Sequence, residues 1–301
     1  MKLVVLTGPT AVGKTELALT IAERLDTPII NADSRQMFRE LKIGTAPPTA
    51  EQLARVKHYF VGTLSLGDYY NASMFEQQVM TLLQGELKDK EYVLMSGGSM
   101  MYIDAVCNGI DDIPTVDETT RKEMKQRLAD EGLEALTNEL KAKDPEYAAT
   151  ADLKNPKRVI HALEIISMTG QTYSSFRTNK RKQRPFDIVK IALNRDRQQL
   201  YQRIDQRVEQ MISNGLVQEA RQLYPRRGIN ALNTVGYKEL FDSFEGRCTL
   251  GKAIEQIKYD THRYARKQIT WFRRDNEVRW FHPEEQDKIL RHIYENDRQV
   301  D

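Results

Sequence analysis

A chain of 301 residues, 40% apolar and 29% charged, holds enough hydrophobic material for one large domain or a core with an insertion, which excludes a disordered chain. The net charge of +2 decides little, because a near-neutral total can hide a basic face. No apolar run approaches membrane-spanning length. The opening Leu3-Val4-Val5-Leu6 is also too short for a signal peptide.

The first hundred residues alternate short apolar runs with helical patterns, as a parallel α/β sheet does. Leu3–Leu6 reads as a first strand ending in a Gly-rich turn, and Glu16–Leu25, with Leu17, Ile21 and Leu25 at helical spacing, as the helix after it. Pro28-Ile29-Ile30 is a second buried strand, with Asp33 and Ser34 just beyond its C-terminal end. A helix over Ala72–Lys88 precedes a strand at Tyr92–Ser96, which runs into Gly97-Gly98-Ser99. From Thr115 to about Lys182 only helical patterns occur. Thr115 and Glu118 have capping-box spacing, and Asn155-Pro156 opens a helix that Gly170 stops. Ile188–Leu193 reads as a returning strand, followed by a long helix with Ile204, Val208, Met211 and Ile212 on one face. A basic, aromatic helix then covers Ile254–Phe272, and the polar tail from Glu284 reads as a surface helix. The expected architecture is a P-loop NTPase-like parallel sheet flanked by helices, with an all-helical insertion. The domains divide as 1–113 and 185–282 for the core, 114–184 for the insertion and 283–301 for the tail.

Gly8-Pro9-Thr10-Ala11-Val12-Gly13-Lys14-Thr15 fits G-x-x-x-x-G-K-[ST] between a strand and a helix, the setting that confirms a P-loop. Its backbone N–H groups and the helix N-terminus suit a di- or triphosphate, Lys14 can bridge the phosphates, and the Thr15 hydroxyl can ligate Mg²⁺. A kinase or ATPase needs a metal-holding acid after a later strand. The strand at Tyr92–Ser96 ends in glycines instead, and the nearest acid is Asp33 after the second strand. At that strand end Asp33 faces the ligand crevice, as a site residue or as the cap of a following helix.

Two basic runs stand out. One holds Lys154, Lys157, Arg158, Arg177, Lys180, Arg181, Lys182, Arg184 and Lys190. The other holds Lys258, Arg263, Arg266, Lys267, Arg273 and Arg274, interleaved with Tyr259, Tyr264, Trp271 and Phe272. Either is compatible with a solvated face. Together with a phosphate-binding core they point to a polyanion, and the aromatic residues to unstacked RNA. The histidines lack metal-ligand spacing. Cys107 and Cys248 form no CxxC and read as buried free thiols, in preference to one disulfide, in a reduced, cytoplasmic setting.

The P-loop, Asp33-Ser34-Arg35-Gln36-Met37-Phe38, Ile43-Gly44-Thr45-Ala46, Gly97-Gly98-Ser99-Met100-Met101-Tyr102, Asn155-Pro156-Lys157-Arg158, Val235-Gly236-Tyr237, Thr261–Gln268 and Thr270-Trp271-Phe272-Arg273 together resemble the tRNA dimethylallyltransferases, from Leu3 to about Arg274. The resemblance implies transfer of a dimethylallyl group from its diphosphate to N6 of adenosine-37, beside the anticodon. It implies that the P-loop grips the donor diphosphate and Mg²⁺, that the aspartate matching Asp33 takes the N6 proton, and that Ser99 contacts the target nucleotide. It further implies contacts to a tRNA anticodon stem-loop at Asp33, Ser34, Arg35, Gln36, Ser99, Arg121, Lys157, Arg158, Val159, Ile160, His161, Arg263, Arg266 and Lys267. A monomer without membrane attachment is expected. The chain departs from the family pattern at Ser99-Met100 (usually Thr-Gly), Pro47 (usually Lys) and Asn233 (usually Arg), and reshuffles charges at His262-Arg263 and Arg266-Lys267. Two other enzymes share such a core, an adenylate isopentenyltransferase acting on free nucleotide and a small-molecule kinase. The helical insertion and the basic aromatic segment exceed what a small acceptor needs.

Overall fold

The computed structural model describes residues 1–178 and 181–295. Its sheet is parallel throughout, in the order β3-β2-β4-β1-β5-β6. The first half runs β1 (Lys2–Thr7), α1 (Lys14–Arg24), β2 (Ile29–Ala32), α2 (Ala50–Arg55), β3 (His58–Tyr59), α3 (Ala72–Gln84), β4 (Tyr92–Gly97) and α4 (Met100–Asn108). A helical segment follows, with α5 (Glu118–Lys143), α6 (Pro145–Thr150), α7 (Pro156–Thr169) and α8 (Tyr173–Phe176). The chain then returns through β5 (Asp187–Leu193), α9 (Arg197–Ser213), α10 (Leu216–Leu223), α11 (Tyr237–Phe244), α12 (Leu250–Phe272), β6 (Arg279–Phe281) and α13 (Gln286–Glu295).

The central strands are buried on both faces, so they read as continuous apolar runs rather than alternating ones. The pleat sends Val4 and Leu6 of β1 to one face, with α1, α9 and α13, and Leu3 and Val5 to the other, with α3 and α4. A third cluster gathers α10, α11 and the first half of α12 around the fully buried Tyr237.

Two compact units emerge: Met1–Cys107 with the chain from Arg184 on, and Asn108–Gln183. The second unit begins at Asn108, six residues before the 114 expected. The Lys182 N–H bonds the Asn108 carbonyl at 2.8 Å, which closes the neck of the insertion there. At its other end Arg184 turns into the first unit, pairing with Glu76 at 2.6 Å and bonding the Ala105 carbonyl. The second unit has its own core of Met124, Leu136, Leu140, Val159, Leu163, Ile165, Tyr147 and Tyr173. Its buried Asp144 caps both α6, through the Tyr147 N–H, and α8, through the Ser174 N–H.

Several local expectations are corrected. The Thr115–Glu118 capping box does not form; Asp117 caps α5 instead, accepting from the Thr120 N–H at 2.8 Å. Helix α3 stops at Gln84, before Gly85, and α12 starts at Leu250 because the Thr249 hydroxyl caps it. The tail helix α13 buries Ile289 and Ile293 in the sheet core, so it is a packed element rather than a surface appendage. Residues 296–301, expected to extend it, lie outside the described residues, as does Lys180. Both cysteines are free; Cys107 is buried, its thiol pushed up to about 12 by that burial, while Cys248 is only half-buried. Among the described residues no helix is long and apolar enough to cross a membrane.

Candidate active site

β1 ends at the P-loop. Gly8 has φ 142°, and a Cβ there would fall 2.7 Å from the Leu193 carbonyl oxygen, so the turn demands glycine. Gly13, at φ 111°, leads into α1, whose first N–H groups have no side-chain cap. An uncapped helix start with aligned N–H groups is an anion site. Two arginines brace the loop from outside: Arg195 Nε donates to the Val12 carbonyl at 2.9 Å and Arg203 Nε to the Ala11 carbonyl at 2.8 Å. Lys14 Nζ folds back on the loop, donating to the Gly8 and Pro9 carbonyls at 2.9 and 2.8 Å. Its pKa is pulled down to about 7, by burial first and by the Arg207 charge second, with Asp33 opposing.

The P-loop opens on a cavity of about 1220 Å³ lined by Thr10, Lys14, Thr15, Asp33–Gln36, Gly97–Ser99, Arg195, Arg203, Arg207, Tyr264 and Gln268, among others. Asp33 follows β2, two strands from β1, and still faces the same space. No helix follows it directly, so the helix-cap reading fails. Its Oδ1 accepts the Arg35 and Gln36 N–H groups at 2.9 and 3.3 Å, capping a turn. Oδ2 takes no hydrogen bond from the described residues. The Ser99 hydroxyl, buried at the start of α4, accepts the Ser34 N–H at 2.8 Å and donates to the Ser34 hydroxyl at 3.1 Å. Ser99 therefore shapes the turn that carries Asp33. The Gln36 amide donates to the Thr45 and Ala46 carbonyls, which ties the 42–46 loop to the same turn.

Arg207 escaped the sequence reading, which used α9 for its apolar face. Its guanidinium is half-buried against the cavity and, among the described residues, has no ion pair and reaches only the Thr45 carbonyl at 3.4 Å. Burial lowers its pKa, and Asp33 opposes the shift. Arg35 is lowered by burial as well. Lys14, Arg35 and Arg207 thus surround one carboxylate, an excess of positive charge held ready for a polyanion.

A family model described as IPP transferase matches residues 36–275. The chain belongs to the IPP transferase family. It is 58% identical to tRNA dimethylallyltransferase 1 of Bacteroides fragilis over 97% of each chain. It is also 46% identical to tRNA dimethylallyltransferase of Christiangramia forsetii over 94% of each. Its structure is similar to tRNA isopentenylpyrophosphate transferase from Bacillus halodurans, with TM-score 0.71 and 34% identity over 99% of this chain and 98% of the other. A eukaryotic dimethylallyltransferase solved acting on tRNA gives TM-score 0.76 and 25% identity over 90% of this chain and 69% of the other.

The family's other expected contacts are distributed unevenly. On the second unit Lys157 and Arg158 are exposed at the start of α7 and enter no ion pair among the described residues. Ile160 and His161 are half-buried, the latter 3.3 Å from Glu164. Val159 is fully buried in that unit's core, so its side chain is withdrawn from any RNA. Arg121 is half-buried on α5. On α12 Arg263, Arg266 and Lys267 are exposed; Arg263 pairs with Asp260 at 3.3 Å and Arg266 reaches the Tyr201 hydroxyl at 3.1 Å. The basic runs shrink. Arg184 and Lys190 are buried in ion pairs, the latter with Asp275 and Glu277. Two stacking candidates also fall away, since Phe272 is core and the Trp271 indole donates to Asp104 at 2.7 Å. Tyr259 and Tyr264 remain exposed. Pro47 and Asn233, two departures from the family pattern, both line the cavity.

Proposed function

We propose that this enzyme transfers a dimethylallyl group from its diphosphate to N6 of the adenosine next to the anticodon in tRNA. The observation that carries the reading is the single cavity shared by the P-loop, Asp33, whose Oδ2 takes no hydrogen bond from the described residues, and the half-buried Arg207. In this reading the loop N–H groups, Lys14 and Arg207 hold the diphosphate and take up charge as it leaves. The N6–C1 bond forms as the C1–O bond breaks, and the N6 proton passes to Asp33. A base in an anticodon loop must leave its stack to react, and the cavity has room for it beside the donor.

The donor set fits Mg²⁺ of the kind held mainly by substrate. Among the described residues no group of three or more His, Cys, Asp or Glu could bind a metal. The exposed Thr15 hydroxyl lines the cavity and would supply one ligand, the diphosphate and waters the rest. The ion would neutralise charge on the diphosphate, and EDTA stops transfer in this reading.

The direct test is mass spectrometry of nucleosides from tRNA incubated with the enzyme and dimethylallyl diphosphate. N6-(dimethylallyl)adenosine in the tRNA digest is expected; product on AMP alone would move the enzyme to the free-nucleotide class. A second test uses Lys14. The free ammonium loses its proton near pH 7 and a bound diphosphate holds it protonated, so donor affinity falls as pH rises through that value. Calorimetry in buffers of different ionisation heat should show proton uptake on donor binding. Lys14→Met should abolish that component and weaken donor binding by roughly 10–100-fold, the worth of a charge-assisted hydrogen bond. Unchanged uptake in the variant would remove Lys14 from the donor site.

A further inference from the structure

We infer that Gln268 is a positioning residue that fixes the donor cradle relative to the turn carrying the proton acceptor; this rests on the transferase reading above. Gln268 is 1% exposed, on α12. Its Oε1 accepts the Thr10 N–H of the P-loop at 2.9 Å, and its Nε2 donates to the Gly98 carbonyl at 2.8 Å. One primary amide therefore spans the ends of the neighbouring strands β1 and β4. Only one orientation works, because the flipped amide would set N–H against N–H and oxygen against oxygen.

Each end leads to chemistry. From Gly98 the next residue, Ser99, holds the Ser34 N–H, adjacent to Asp33. From Thr10 the loop leads to Lys14. Packing alone does not call for an amide at a site this dry, where a hydrocarbon of the same size needs no hydrogen-bond partners. The fit is close enough that a Cβ on Gly98 would lie 2.4 Å from Nε2. The amide is also carried rigidly. Ala265, one turn before it, packs into the core on one face of the sheet, and Phe272, one turn after it, into the core on the other. A residue fixed this way holds two reacting partners in register, where about 1 Å of misplacement costs on the order of 10²-fold in rate.

Gln268→Leu and Gln268→Glu test this, with kcat measured per folded enzyme and folding followed by thermal unfolding. The leucine variant, losing both bonds, should drop kcat by roughly 10–100-fold with stem-loop affinity within about threefold of wild type. The glutamate variant keeps the acceptor for Thr10 but can donate to Gly98 only when protonated. Burial beside a carbonyl raises the pKa of such a carboxyl. The ratio of its kcat to the wild-type kcat should then fall as pH rises through that raised value. The charged and ionisable groups facing the site, Lys14 on α1, Asp33 and Arg35 after β2, Arg207 on α9 and Tyr264 on α12, are common to both proteins, so the ratio removes their contributions. A ratio flat with pH, or a leucine variant within about twofold of wild-type kcat, overturns the inference while wild-type transfer to tRNA stands. No transfer by the wild type overturns the proposed function, and this inference with it.

Discussion

Replacing Asp33 with Asn should lower kcat for transfer by about 10²–10⁴-fold, the usual cost of losing a positioned base. The substitution is close to silent for folding. An amide oxygen at Oδ1 can still accept the Arg35 and Gln36 N–H groups that close the turn. What disappears is the charge and the second oxygen, the one with no partner in the described structure. The Asp33 carboxylate also supports the protonated form of Lys14. In the variant Lys14 therefore becomes neutral at lower pH, and the pH at which donor affinity fades should move down. Two readouts separate the roles: single-turnover rates at saturating donor report the base, and the pH dependence of donor binding reports the charge. Near-normal single-turnover rates would reduce Asp33 to the cap of its turn.

The parts of this site that could be read from the linear sequence are those whose chemistry is local. The P-loop is eight consecutive residues, and its strand and helix are announced by their own patterns. Asp33 is legible because it follows a buried strand, and strand ends in a parallel sheet share one edge. Arg207 and Gln268 are of another kind. Arg207 sits on a helix whose apolar stripe explains its presence without any site, and only the folded chain shows the guanidinium turned into the cavity. Gln268 makes its two bonds to residues 258 and 170 positions away, a pairing no window of sequence contains. The same blindness inflated the basic runs. Arg184 and Lys190 stand next to true surface charges in the chain, yet their partners Glu76, Asp275 and Glu277 come from distant segments. Strand β6 was missed for a simpler reason: three residues are too few to show a period.

With Arg184 and Lys190 held in buried ion pairs, the salt dependence of tRNA binding falls to the cations that stay exposed. A stem-loop neutralised by about four to six of the remaining exposed cations should lose on the order of 10²–10³-fold in affinity between 50 and 200 mM salt. Lys157 and Arg158, exposed and in no ion pair among the described residues, are the expected phosphate contacts; Arg158→Ala should flatten the slope of log K against log salt by about one unit. Arg184 lies in the same stretch of sequence and should behave oppositely. Its guanidinium is 2.6 Å from Glu76, with both side chains almost wholly buried. Arg184→Met removes the buried charge opposite that carboxylate, at a cost of roughly 3–5 kcal/mol in stability, while the salt slope of the protein that remains folded stays unchanged. The two variants, titrated with stem-loop at several salt concentrations and unfolded in urea, should therefore move different observables. A slope change from Arg184→Met, or none from Arg158→Ala, would mean that the RNA phosphates lie elsewhere than at the start of α7.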